Sequence, residues 1–269
     1  MKTKLLVLIL LSFQTIQSQN YFEGKNLYCK STNPKANELF NLGLETIRLN
    51  SSMDEKYLKI ATNIFFKAYK QDTTFCDALF FIGYSLRLAN DRKAFAFYIL
   101  ADSFANNRSI EFKINLAYEG IRMGSDKSIA ISRKTYLKLI EYFPQSPEGY
   151  YGYAITSPMI GDYEKGLVYL DTAIIKYKES NSEIKPEVTF IKGVLSAMNK
   201  KYEQGLENLE LSFSDYKKDE NFKTYYSLCL LKVSELKNDE KMKAKAKKFY
   251  DKIENKDGIL PETKELLKF

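Results

Sequence analysis

Residues 150–170 read YYGYAITSPMIGDYEKGLVYL, and this stretch decides the fold. Its first half is a short apolar segment of helical character, and Ile160-Gly161-Asp162 is a tight turn. Its second half opens another helix, in which small Gly166 is followed four residues later by bulky Leu170 and at seven by small Ala173. So short a turn forces the two helices to run antiparallel as neighbours. No stretch of the chain shows the two-residue alternation of a half-buried strand.

Working outward, the small–bulky spacing, often with a second small residue at seven, recurs as Ala61-Phe65-Ala68, Ala94-Tyr98-Ala101, Ser132-Tyr136-Leu139, Gly205-Leu209-Ser212 and Ala246-Tyr250-Ile253. With Gly166 included, the first members lie 33, 38, 34, 39 and 41 residues apart. Such a period marks a helical repeat array, in which no unit buries its apolar face alone. Two helices cross closely only where the side chain at the crossing is tiny, and the bulky residue one turn on fills the groove alongside. The pairs are 33–50 with 53–71, 75–89 with 91–105, 109–123 with 127–143, 147–159 with 162–179, 185–199 with 201–217, and 221–236 with 239–255. Pro158 falls inside one of these helices and is expected to end it early or kink it. Gly258 and Pro261 predict a last short helix within 260–269 that covers the end of the array.

These residues carry a resemblance to the tetratricopeptide (TPR) family. Leu79, Ile82-Gly83, Leu86, Ala94 and Tyr98 fit its pattern, with one residue fewer in the turn. The 150–170 stretch is the best match, and Gly193-Val194-Leu195 followed by Lys201-Tyr202-Glu203-Gln204-Gly205-Leu206 repeats it. Asn41-Leu42-Gly43 and Asn115-Leu116-Ala117 resemble the family's Asn-Leu-Gly step. The resemblance implies an all-α, right-handed solenoid of about six helix-turn-helix units over 33–255, with 256–269 as a capping segment.

The N-terminus has the three-part layout of a secretory signal peptide over 1–18: Lys2 and Lys4, an apolar run from Leu5 to Phe13, then a polar end at Ser18. The apolar run is too short for a bilayer, which takes roughly 20 residues. Export to a periplasm or to the exterior is therefore expected, with 19–32 left as an N-terminal arm. Removing Lys2 and Lys4 lowers the net charge from +7 to +5, which favours solubility and gives no case for nucleic acid. In an oxidising compartment Cys29 and Cys76 have the opportunity to pair, which sequence leaves open, while Cys229 sits in an apolar helix as a small hydrophobe.

The chain has no histidine, so Ser-His and Cys-His nucleophile pairs and His-based zinc sites are excluded. No CxxC, phosphate-cradling glycine loop or Gly-x-Ser-x-Gly elbow is present. No enzyme, cofactor or metal site is expected. Carboxylate pairs such as Glu111 with Glu119 and Asp162 with Glu164 read as solvated charge rather than as a hydrolase. The lysine run Lys237, Lys241, Lys243, Lys245, Lys247, Lys248 and Lys252 reads as a wet outer face opposite Met242, Ala246, Phe249, Tyr250 and Ile253, with at most weak membrane contact.

In the TPR family the first helix of each pair lines the concave surface. The resemblance therefore implies a peptide groove lined by Asn41, Phe80, Tyr84, Arg87, Asn115, Tyr118, Arg122, Tyr151 and Phe190. With few cations, this set disfavours clamping of an acidic chain end. It suits an extended or helical peptide whose backbone is held by Asn41 and Asn115. The expected function is thus an exported scaffold binding a protein or peptide. The alternative is a glycan- or cell-wall-binding accessory protein that uses Tyr84, Tyr118, Tyr150, Tyr151 and Tyr153 as stacking platforms.

Overall fold

The computed structural model describes residues 28–29, 31–49, 54–184 and 186–269, which fall into two compact units, 28–144 and Gln145–Phe269. The regular structure among them is helical, with no strand. The first unit holds α1 (Pro34–Leu49), α2 (Glu55–Gln71), α3 (Cys76–Leu88), α4 (Ala94–Ala105), α5 (Ile110–Met123) and α6 (Asp126–Tyr142). The second holds α7 (Pro147–Ile160), α8 (Tyr163–Glu179), α9 (Pro186–Met198), α10 (Tyr202–Leu211), α11 (Phe213–Tyr216), α12 (Glu220–Lys237), α13 (Glu240–Asp251), a 3-10 turn (Lys256–Gly258) and α14 (Pro261–Leu266). The expected signal segment 1–18 and residues 19–27 of the expected arm lie outside the described residues.

The breaks in the apolar pattern are helix caps. Short polar side chains satisfy the first amides: Asp54 accepts from Lys56, Ser109 from Phe112, Ser146 from Glu148, and Asp219 from Phe222. Ser125 and Ser128 form a reciprocal capping box at the start of α6. The chain leaves α4, α5, α7 and α12 through left-handed Asn106, Gly124, Gly161 and Asn238.

The small–bulky rule is met at the helix crossings. A methyl on Gly43 of α1 would lie 2.5 Å from the Phe65 ring of α2, and one on Gly193 of α9 would lie 2.6 Å from Leu209 of α10. On Gly83 of α3 it would meet Tyr98 of α4 at 3.1 Å. Phe65, Tyr98 and Leu209 are the bulky members of three repeat blocks, and all three are fully buried. Around the first crossing Phe40, Phe65, Phe75 and Phe81 form one aromatic core, with ring centres 4.8–5.5 Å apart. In the second unit Phe213, Phe222, Tyr226 and Phe249 do the same work among α11, α12 and α13.

Three helix expectations are corrected. Of the two outcomes expected at Pro158, the early end is the one overturned, since α7 continues through it to Ile160. Near the C-terminal end the missing proline amide costs one bond, to the carbonyl four residues back, and Gly161 then closes the helix. The helix expected over 201–217 is broken at Ser212, whose hydroxyl bonds the carbonyls of Asn208 and Leu209 and so competes with the backbone ladder. The last repeat helix stops at Asp251 rather than 255, and Pro261 occupies the first turn of α14 as expected.

Candidate functional site

In the first unit α3 and α5 lie side by side, tied at one end by Phe80 stacked on Phe112 at 4.5 Å. At the other end the Arg87 guanidinium donates to Asn115 Oδ1 at 2.8 Å. Tyr84 and Arg87 follow Phe80 at helical spacing on α3. Asn115, Tyr118 and Arg122 follow Glu111 on α5, so the two helices present parallel stripes of related chemistry. Asn115 in turn donates to the Glu111 carbonyl at 2.8 Å, which fixes its amide.

Arg87 is the centre of this face. Its guanidinium lies 5.0 Å from the ring centre of Tyr84, 5.9 Å from Tyr98 and 6.0 Å from Tyr118. Each ring face attracts the cation, which holds a long side chain in one place. No carboxylate among the described residues pairs with Arg87, and the residue is half-buried. Burial pushes the Tyr84 and Tyr118 phenols up, opposed in both by the Arg87 charge. Both stay neutral donors at physiological pH. Beneath them the Tyr98 hydroxyl is fully buried with no hydrogen-bond partner among the described residues.

Arg122 is committed elsewhere. Its Nε and one terminal nitrogen grip Glu119 at 2.6–3.1 Å, and the other terminal nitrogen donates to Asn90 Oδ1 at 2.5 Å. Glu119 is fully buried, and its hydrogen bonds hold the guanidinium above its ordinary range. The expectation of Glu119 as solvated charge is therefore wrong. Glu111 is likewise engaged, by the Tyr28 hydroxyl. Asp162 accepts from the Tyr153 hydroxyl at 3.4 Å, and Glu164 is exposed.

The other expected groove residues are not open side chains of this face. Asn41 is exposed on α1. Phe80 is buried in the α3–α5 contact. In the second unit Tyr151 and Phe190 are buried, Phe190 being stacked 4.6 Å from Tyr216. Tyr153 is also buried and packs 4.3 Å from Tyr169, so 150–153 offers no open pair of sugar-stacking platforms. A further opening of about 450 Å³ is lined by Ile99, Asp102, Thr135, Lys134 and Lys138 among others, and contains none of the expected residues.

Cys29 and Cys76 are joined in a disulfide, and Cys229 is a buried thiol whose pKa is raised by burial. Asp77, beside Cys76, is fully buried and accepts from the backbone amides of Tyr28 and Cys29. The Cys29, Cys76 and Asp77 ligand atoms lie within 4.8 Å of one another, but the sulfurs are bonded to each other rather than present as thiolates. Sequence reasoning missed Asp77, Asn90 and Tyr98. Only Asp77 carried a signal, as an acid in the first turn of a helix that begins with a cysteine.

No family profile and no curated protein sequence matches the chain. Its fold is that of solved TPR proteins. A chain of the APC/C hetero-tetramer Cut9-Hcn1 superposes with a TM-score of 0.56 at 14% identity, over 87% of this chain and 42% of that one. This chain thus spans less than half the length of that relative. YrrB, a TPR protein with an unusual peptide-binding site, matches at TM-score 0.52 and 14% identity, over 70% of this chain and 90% of its own. The pilF protein of Pseudomonas aeruginosa matches at 0.56 and 13%, over 79% and 88%. These likenesses establish the all-α helical-repeat class.

Proposed function

We propose that the chain is an exported, non-catalytic scaffold that holds a peptide segment of a partner protein on the α3–α5 face of its first unit. The observation that carries this reading is Arg87: a half-buried cation with no carboxylate partner among the described residues, caged by Tyr84, Tyr98 and Tyr118 and steadied by Asn115. Its planar fork suits a carboxylate or main-chain carbonyls, while Tyr84 and Tyr118 flank it with amphipathic rings for apolar side chains. Micromolar affinity, about −8 kcal/mol, suits a face of this size. Peptide binding by YrrB, which shares the fold, supports the reading. The Cys29–Cys76 bridge supports an oxidising compartment and hence export through 1–18.

The test is selection of a displayed random-peptide library on the full-length protein. The reading expects one consensus sequence, bound by the wild type and lost in Arg87→Met. Absence of a consensus, or a consensus indifferent to Arg87→Met, rejects the α3–α5 face as the binding surface.

A further inference from the structure

The N-terminal arm meets the same face at its Phe80–Phe112 end. The Tyr28 ring sits edge-on to Phe112 at 5.3 Å, its hydroxyl donates to Glu111, and its amide reaches Asp77 at 3.1–3.2 Å. The next amide, that of Cys29, donates to Asp77 at 2.7 Å. The Cys29–Cys76 bridge then fastens this two-residue tongue to the start of α3. Downstream, Ser31 donates to Asp72 and its carbonyl accepts from Asn37 at 2.9 Å, so the chain is anchored again two residues later.

Packing and a disulfide alone would hold an arm in place. Asp77 adds something they do not require: a fully buried carboxylate answered by two consecutive peptide N–H groups. A buried charge deprived of its donors is strongly unfavourable, so this position needs an occupant that supplies them. Glu111 and the buried Phe112 ring beneath Tyr28 add an acceptor and an apolar wall for an aromatic side chain with a hydroxyl. Together these groups make a subsite for an extended peptide.

We infer that Tyr28 and Cys29 are a tethered pseudo-ligand in a peptide subsite made by Asp77, Glu111 and Phe112, and that the Cys29–Cys76 disulfide is the latch. The inference rests on the α3–α5 face being a peptide-binding surface, and it names the partner chemistry there: an extended segment with tyrosine or a similar aromatic residue followed by a free amide. A dithiol reductant opens the latch. Its thiolate attacks half-buried Cys29 Sγ, Cys76 leaves as a thiolate and takes a proton, and the second reductant thiol then displaces Cys29. The products are two cysteine thiols and the reductant's cyclic disulfide. While latched, the tongue holds an effective concentration of about millimolar or above, which excludes a weakly binding free peptide.

The experiment uses the full-length chain and a fluorescein-labelled peptide of residues 24–32 carrying Cys29→Ser. Hydrogen exchange over 24–32 reads release of the tongue, and fluorescence polarisation reads occupancy of the subsite. Exchange at the Tyr28 and Cys29 amides is expected to rise at least about 10-fold on adding dithiothreitol. The peptide is expected to bind Tyr28→Ala/Cys29→Ser, to bind the oxidised wild type at least about 10-fold more weakly, and to lose binding when Asp77→Asn is added. Unchanged amide exchange after reduction overturns the latch. Tongue release without peptide binding by the open variant overturns the subsite. If a library-selected peptide still depends on Arg87 in that second case, the face itself survives and only the pseudo-ligand fails.

Discussion

Lys113 Nζ lies 2.9 Å from Asp102 Oδ1, and no part of the lysine reaches solvent. The ammonium is completed by Asn107 Oδ1 at 2.7 Å and by the Tyr142 ring at 6.0 Å. This pair ties α5 to α4 just outside the face that carries Arg87. Removing one partner from a buried ion pair leaves an uncompensated charge, at a cost of about 3–5 kcal/mol. Lys113→Met is therefore expected to lower stability by about that amount, while Lys113→Met with Asp102→Leu recovers most of the loss. Urea unfolding followed by circular dichroism measures both. An equal loss in the single and double variants would show that packing rather than charge sets the cost.

Gly43 gives a second prediction. A methyl there would lie 2.5 Å from Phe65 Cε1, and Phe65 is fully buried among Phe40 and Phe81 with no room to swing away. Overpacking costs about 1–3 kcal/mol, against a gain of about 1 kcal/mol in helix propensity for Gly→Ala. Gly43→Ala is expected to be destabilising on balance, by up to about 2 kcal/mol. Adding Phe65→Leu should make the glycine change less harmful, which a four-point thermal melt checks.

The repeat architecture was legible because its signals are local. Gly193 with Leu209 and Gly83 with Tyr98 meet within one helix pair, a short sequence distance that periodicity spans. The stripe of Tyr84, Arg87, Asn115 and Tyr118 was readable for the same reason, since helical spacing places each pair on one face. Phe80, Tyr151 and Phe190 were misjudged because first helices of inner repeats are packed on several sides. In α3 every residue from Cys76 to Gly83 is buried, so period alone does not separate a groove from a core. Asp77, Lys113 and Glu119 were opaque for another reason. Their charges suggested solvent, while their partners come from the arm, from the preceding helix and from one turn along the same helix.

Asp72 makes the arm's downstream anchor pH-dependent. The Ser31 hydroxyl, with Thr74, holds its carboxyl below the ordinary 3.8. A carboxylate with a depressed folded pKa adds stability that is whole above the unfolded value and fades as pH falls through the folded one. Anchoring of 31–33 is therefore expected to hold at neutral pH and loosen below about pH 3.8. Asp72→Asn should remove that dependence. Hydrogen exchange over 31–37, corrected for the intrinsic rate at each pH, reads it, and an identical acid profile in the variant would assign the loosening to other groups.

Arg87 carries the most direct test of function. A hydrogen bond to a charged group contributes about 1.5–3 kcal/mol, so Arg87→Met is expected to weaken a selected peptide by roughly 10–100-fold. Arg87→Lys should recover little of this, because an ammonium has neither the planar fork nor the stacking that fits it among Tyr84, Tyr98 and Tyr118. Tyr84→Ala with Tyr118→Ala should abolish binding and leave helix content intact, since both rings are only partly buried and neither fills a helix crossing. Fluorescence polarisation and far-ultraviolet circular dichroism on the same samples separate the two effects. Unchanged binding in the tyrosine double variant would move the working surface off the α3–α5 face, with the lysine-bearing side of α13 the next to examine.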